Sequence, residues 1–146
     1  MQKTIKFLFI LSLIISSSFF VTKKADAAWS DWNNVPNAAK ECKVRVYTDA
    51  TNYSSTAKTV DAKAETNGKC GTLYYFMALS WKGLDSASHD TTTGSFSSNT
   101  PIKQLKIGTV YDDEATYVSL VLYSDADRTK EVGRVASNTI YLKKNI

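Results

Sequence analysis

Histidine and cysteine are scarce in this sequence of 146 residues, which contains one histidine, His89, and two cysteines, Cys42 and Cys70. Two thiols and one imidazole do not supply the ligands of a cysteine-based metal site. A nucleophilic triad needs its histidine on a rigid element, whereas His89 lies in a loop-like stretch. The sequence also lacks a glycine-rich phosphate loop and a nucleophile elbow. These absences disfavour most enzyme classes, although a carboxylate pair could still serve a small hydrolase.

Long hydrophobic runs are absent after residue 21. Residues 7–21 form an apolar run that follows Lys3 and Lys6 and precedes the triplet Ala25-Asp26-Ala27. The run is shorter than the ~20 apolar residues that span a bilayer, and its flanks are typical of a secretory signal peptide. We therefore predict a signal peptide over residues 1–27, a secreted, extracellular protein and no membrane insertion.

A strong charge excess is missing once the predicted signal peptide is removed. Residues 1–27 contain four of the 18 basic residues and one of the 14 acidic residues, which leaves a net charge of +1. Proteins that bind nucleic acid carry a basic patch or stripe, whereas the remaining charges here are interspersed. We therefore predict no nucleic-acid partner.

The sequence does contain the two-residue alternation that is typical of β strands. Apolar and polar side chains alternate over residues 42–47, and no window shows a sustained helical period. Residues 72–81 are apolar on both faces, which indicates a central strand or a short buried helix. We predict an all-β Greek-key sandwich of about seven strands in one domain, 42–146, after an N-terminal aromatic arm, 28–41. The other strand-like segments are 58–62, 71–80, 103–110, 116–123, 130–136 and 139–143.

The two cysteines are expected to pair. An exported protein meets an oxidising environment, in which two cysteines most simply form one disulfide. We therefore predict a bond between Cys42 and Cys70.

Residues 85–101 form the longest polar stretch, rich in serine and threonine, with Phe96 as its lone aromatic residue. Loops longer than about 12–15 residues in a compact domain are usually functional or disordered. Two interpretations remain open: a polar loop or edge hairpin, and a presented binding loop that displays Phe96.

Trp29 and Trp32 lie three residues apart in a turn-rich segment. Exposed aromatic rings on a small secreted domain can stack on the sugar rings of a cell wall or contact a protein partner. The alternative is that this pair caps one open end of the sandwich. The sequence predicts binding residues at Trp29, Trp32 and Phe96.

A partial repeat joins two distant parts of the chain, where residues 44–50 read VRVYTDA and residues 120–126 read LVLYSDA. Each copy predicts a strand, a polar turn and a return strand. The first copy, with Tyr47, Asp49, Asn52 and Tyr53, resembles the opening hairpin of a βγ-crystallin-type Greek-key motif. Ser54 stands where that motif has glycine, and the second copy has Arg128 in place of an aromatic residue.

Acidic residues cluster in the predicted turn at residues 111–115. Asp112, Asp113 and Glu114 supply the hard oxygen ligands that Ca²⁺ prefers, and the crystallin resemblance implies a calcium site here. The alternative is that they are solvated turn residues. Ca²⁺ at these three positions is therefore the one cofactor prediction that the sequence gives.

These features predict a secreted, non-enzymatic binding protein that acts as a monomer. Its partner is expected to be an extracellular protein or a cell-wall glycan, which makes it an inhibitor of an extracellular protease or a cell-envelope binder. The alternative is a small secreted hydrolase that uses a carboxylate pair.

Overall fold

The computed structural model describes residues 26–81 and 88–146, and this part of the chain contains β strands and no helix. The first 25 residues of the predicted signal peptide, and residues 82–87, lie outside the described residues. Within the described ranges there is no helix that is long and apolar enough to cross a membrane. The strands are β1 (Ala28–Trp29), β2 (Asn33–Asn34), β3 (Lys43–Thr48), β4 (Asn52–Tyr53), β5 (Thr59–Thr66), β6 (Leu73–Trp81), β7 (Ser88–Phe96), β8 (Lys103–Lys106), β9 (Glu114–Tyr123), β10 (Glu131–Ala136) and β11 (Ile140–Leu142).

The strands form two sheets. The first sheet has the order β1-β3-β5-β8. β1 pairs with the C-terminal end of β3, and β2 pairs with its N-terminal end. The second sheet has the order β4-β11-β9-β6-β7, and β10 pairs with β9. β10 lies beside residues 119–123 of β9 and β11 beside residues 114–116, so the two share one edge of that strand. Between the described strands, pairing is antiparallel except for the parallel pair of β4 and β11.

The core lies between the two sheets and is built from alternate residues of each strand. In β3, Val44 and Val46 are fully buried, while Lys43, Arg45 and Tyr47, which alternate with them, face outward. In β9, the same alternation buries Val118, Leu120 and Leu122. Because strand side chains alternate between two faces, this pattern gives each sheet one apolar face. The predicted all-β sandwich is therefore confirmed.

The predicted disulfide is also confirmed. Cys42 and Cys70 are bonded, with their Cα atoms 4.6 Å apart. Cys42 directly precedes β3 of the first sheet, and Cys70 lies shortly before β6 of the second sheet. The bond therefore links the N-terminal ends of two core strands, one in each sheet.

The described residues contain more strands than the seven that were predicted. The additional elements are the short strands β1, β2 and β4, together with β7. β7 occupies most of the stretch that was predicted as a long polar region, and it pairs along its length with β6. It ends the order of the second sheet, which agrees with the edge-hairpin interpretation and not with a presented loop. β6 is a strand with neighbours on both sides, so the buried-helix alternative for residues 72–81 is wrong.

The N-terminal segment predicted as an arm is part of the sandwich. Its strands β1 and β2 pair with β3, and Val35 is buried in the core. The backbone N–H of Asn37 donates a hydrogen bond to the carbonyl oxygen of Val132 on β10. The segment therefore connects an edge of the first sheet with an edge of the second.

The repeated Tyr-Thr/Ser-Asp-Ala pattern marks two hairpins that use the aspartate in the same way. Asp49 Oδ1 accepts hydrogen bonds from the Asp61 backbone N–H (2.9 Å) and the Tyr53 hydroxyl (2.6 Å) between β3 and β5. Asp125 accepts from the Thr129 hydroxyl (2.6 Å) and the Lys130 N–H (2.8 Å) between β9 and β10. These bonds lower the pKa of Asp125. Each carboxylate therefore closes the turn that follows its strand.

Replacing Tyr53 with phenylalanine is expected to lower the free energy of unfolding by about 1–2 kcal/mol near neutral pH, because the Asp49 carboxylate loses the hydroxyl that donates to it. Burial, followed by the hydrogen bond and negative charge of Asp49, raises the pKa of Tyr53 above its usual range. The folded protein therefore keeps this proton at a pH at which the unfolded chain releases it. The resulting stabilisation is complete below the unfolded pKa of about 10 and declines as the pH rises above it.

Urea unfolding at neutral pH and at about pH 11, above the usual tyrosine pKa, measures this contribution. Tyr53→Phe should lose part of the alkaline decline that the wild type shows. Tyr111→Phe is the matched control, since Tyr111 is 68% exposed. The same alkaline decline in wild type and Tyr53→Phe would contradict the expectation.

Candidate binding site

Arg45 lies between two tryptophan rings on the outer face of the first sheet. Its guanidinium carbon is 4.3 Å from the ring centroid of Trp29 and 4.5 Å from that of Trp32. Both distances are within the ~6 Å at which a cation is attracted to an aromatic face. Arg45 Nε also donates a 2.6 Å hydrogen bond to Glu65 Oε1 on β5. The guanidinium is therefore fixed by two rings and a carboxylate.

Tyr47 and Lys63 extend this arrangement along the sheet. The rings of Trp29 and Tyr47 are 5.2 Å apart, and Lys63 Nζ lies 5.1 Å from the Trp29 centroid and 5.3 Å from that of Tyr47. Cross-strand pairing explains the contacts, because Tyr47 lies opposite both Trp29 and Lys63. We call this surface the aromatic–cation face; it consists of Trp29, Trp32, Arg45, Tyr47, Lys63 and Glu65.

Backbone contacts hold the tryptophans against the sheet. Ser30, which is buried, donates its N–H to the Val46 carbonyl oxygen (2.8 Å) and accepts the Val46 N–H on its hydroxyl (3.0 Å). The Asn138 side-chain amide donates to the carbonyl oxygen of Trp29 (3.0 Å). The rings are therefore positioned before any ligand arrives, which lowers the entropy cost of binding.

The structure places Trp29 and Trp32 at the surface. Trp29 is half-buried and Trp32 is 40% exposed. Sequence reasoning named these two residues but missed the cations that stack on them. The sequence of β3 does indicate these cations, because Lys43, Arg45 and Tyr47 alternate with the core residues and therefore share the outer face.

Phe96, the third predicted binding residue, belongs to the core. It is 5% exposed and packs edge-on against Tyr75, with 5.8 Å between the ring centroids. The cause is the register of β7, which pairs Phe96 with Leu73 and directs both toward the first sheet. Phe96 is therefore no part of an exposed binding loop.

The three acidic residues predicted to bind Ca²⁺ do not converge. Asp113 pairs with Lys143 and accepts the Lys144 N–H, and these hydrogen bonds lower its pKa. Glu114 Oε1 lies 2.5 Å from His89 Nε2, while Asp112 is exposed. Among the described residues, no group of three histidine, cysteine or acidic side chains is arranged to hold a metal ion. These three side chains therefore do not share one site in the structure described, and Ca²⁺ binding at this turn stays a prediction.

His89 is enclosed in the protein. Its side chain is 2% exposed and pairs with Glu114. Its ring packs against Trp81 in a T-shaped arrangement, with 5.1 Å between the ring centroids. A general acid or base must reach the proton that it transfers. In the structure described, this imidazole is therefore a packing residue between β7 and β9.

Comparison with known proteins places the chain in a family. Residues 25–143 match the family model described as the YqgA MG2 macroglobulin domain. The chain is 42% identical over 97 residues to the cell wall-binding protein YqgA of Bacillus subtilis (strain 168). This match spans 65% of the chain and 66% of the relative, just under two thirds of the relative's length. No solved structure matches, and the resemblance to βγ-crystallin motifs stays a prediction.

Proposed function

This chain belongs to the YqgA MG2 macroglobulin domain family, and from that premise we propose that it is a non-enzymatic protein that binds cell-wall material outside the cell. The observation that carries the proposal is the fixed position of Arg45 between the rings of Trp29 and Trp32. The name of the Bacillus subtilis relative, a cell wall-binding protein, supports the same class of partner.

The aromatic–cation face suits a wall polymer for two physical reasons. Its rings offer flat apolar surface with few rotatable bonds, so little side-chain entropy is lost on contact. Arg45 and Lys63 place positive charge beside those rings, where acidic or phosphate groups of a polymer can be bound. Sugar rings have apolar C–H faces and polar edges, and this surface complements both.

The protease-inhibitor alternative depended on a presented loop at residues 85–101. Residues 88–96 of that stretch are paired with β6 as β7, so this part of it is held in the sheet. Protease inhibition therefore stays a prediction without a described contact loop, and the hydrolase alternative stays one without an identified carboxylate pair. Wall binding is the function that the surface chemistry favours.

The proposal predicts that a Trp29→Ala, Trp32→Ala double variant binds purified cell walls at least about tenfold more weakly than the wild type, which is about 1.4 kcal/mol. Co-sedimentation over a range of protein concentrations measures the affinity. Tyr111→Ala is the matched control, because it removes an exposed ring outside the aromatic–cation face. Far-ultraviolet circular dichroism and a cooperative melt establish that each variant is folded.

Wall binding that is equal in the double variant and the wild type would remove the aromatic–cation face from the proposal. A wild-type protein that does not sediment with walls but inhibits a secreted protease would favour the inhibitor alternative. Single variants Arg45→Gln and Lys63→Gln then separate the cations from the rings, since a loss that appears only at low salt indicates an electrostatic contribution.

A further inference from the structure

A groove of about 440 Å³ crosses the outer face of the second sheet. Its floor follows one row of cross-strand neighbours, because Ala78 of β6 lies opposite Ser119 of β9, and Ser119 lies opposite Ala136 of β10. Thr91 of β7 continues the row on the other side of Ala78. These side chains are small, so the sheet surface is lowest along this line.

Larger side chains stand on both sides of that row. Phe76 and Val121 form the neighbouring row on one side. Tyr117, opposite Ser80, stands on the other side. The two flanking rows are four residues apart along each strand, or about 13 Å at the usual rise of a β strand. The groove therefore runs across the strands, with an aromatic ring on each side.

Hydrogen-bonding groups are distributed along the groove. The hydroxyl group of Ser119 on the floor lies 3.3 Å from that of Ser80 in the flanking row. The side chains of Asn33 and Arg134 also line the groove. None of the described residues that line the groove is acidic. The lining therefore combines apolar side chains and two aromatic rings with hydroxyl, amide and guanidinium groups. This combination suits a sugar, which has apolar C–H faces and hydrogen-bonding hydroxyl groups.

We propose that this groove binds a linear glycan, laid across β6, β9 and β10 with its sugar rings between Phe76 and Tyr117. The inference rests on the proposed function and assigns the saccharide part of wall recognition to this second site. The chain links the two sites, since Asn33 lines the groove and directly follows Trp32 of the aromatic–cation face. The proposal therefore includes a polymer that turns around the β2 edge of the sandwich to contact both surfaces.

Soluble N-acetylglucosamine oligosaccharides test the groove apart from insoluble walls. With the full chain, a nuclear magnetic resonance titration should shift the amide signals of Ala78, Ser119 and Ala136 in a saturable way. Two variants change the groove in opposite ways: Tyr117→Ala removes a flanking ring, and Ser119→Phe places a large side chain on the floor. Each variant should weaken oligosaccharide binding at least about tenfold. Tyr141→Ala, on the exposed side of β11, should leave it unchanged.

Failure of this inference and failure of the proposed function give different results. The groove assignment is wrong if the wild type sediments with walls but the oligosaccharides shift no groove signal. It is also wrong if both groove variants bind the oligosaccharides as tightly as the wild type does. In either case the proposal of wall binding is unaffected. If the wild type does not sediment with walls, the proposed function fails, and saturable groove shifts would still establish a saccharide site. Because Ser119→Phe and Tyr117→Ala change opposite features, a folding defect in one leaves the other as the test.

Discussion

Replacing Tyr75 with alanine is expected to lower the free energy of unfolding by about 3–5 kcal/mol, the range for loss of a large buried aromatic side chain. Tyr75 is 1% exposed and packs edge-on against Phe96. Its ring also lies over Gly94, its partner on β7, where an added Cβ would be 2.6 Å from the tyrosine oxygen. One residue therefore fills the core and holds the edge strand of the second sheet.

Urea unfolding followed by circular dichroism measures this loss. Tyr111→Ala is the control, because this exposed tyrosine should change the free energy of unfolding by no more than about 0.5 kcal/mol. Gly94→Ala provides an independent check, since its new methyl group would collide with the Tyr75 ring and should also destabilise the fold. A Tyr75→Ala variant as stable as the Tyr111→Ala variant would contradict the described packing between β6 and β7.

Removing the disulfide is expected to cost about 3–4 kcal/mol. Cys42 and Cys70 are separated by 28 residues, and a cross-link over a loop of this length restricts the unfolded chain by about that free energy in the chain-entropy model. Both residues are buried, so a Cys42→Ala, Cys70→Ala variant tests the bond without introducing free thiols into the core.

Thermal unfolding with and without reductant separates the bond from the substitutions. Reductant should lower the midpoint of the wild type and leave that of the double variant unchanged. A double variant that unfolds at the wild-type midpoint would show that the bond adds no stability. The proposed wall binding should persist in the reduced protein at low temperature, because the aromatic–cation face lies on the other side of β3 from the core.

The sandwich and its turns follow from local properties of the sequence. Alternation in β3 and β9 needs only neighbouring residues, because side chains of a strand point to opposite faces in turn. Asp49 and Asp125 close their hairpins with backbone donors a short distance along the chain or across the turn. Two cysteines leave a single pairing within one chain. These features were predictable because each depends on short-range geometry or on the number of cysteines.

β7 shows where local properties are insufficient. Its residues are mainly serine and threonine, a composition that suits both loops and exposed strands. Pairing with β6 determines that they form a strand. The same register decides that Phe96 faces the core, since a shift of one residue would turn it outward.

The candidate sites were decided by tertiary structure for the same reason. Trp29, Arg45 and Lys63 are distant in sequence, and only the pairing of β1, β3 and β5 stacks them. Asp113 and Glu114 are adjacent, yet alternation sends one to Lys143 and the other to His89. Composition and spacing determined a disulfide-linked β sandwich with surface tryptophans. Cross-strand register decided which side chains contact each other, because it sets the distances between residues that are far apart in the linear sequence.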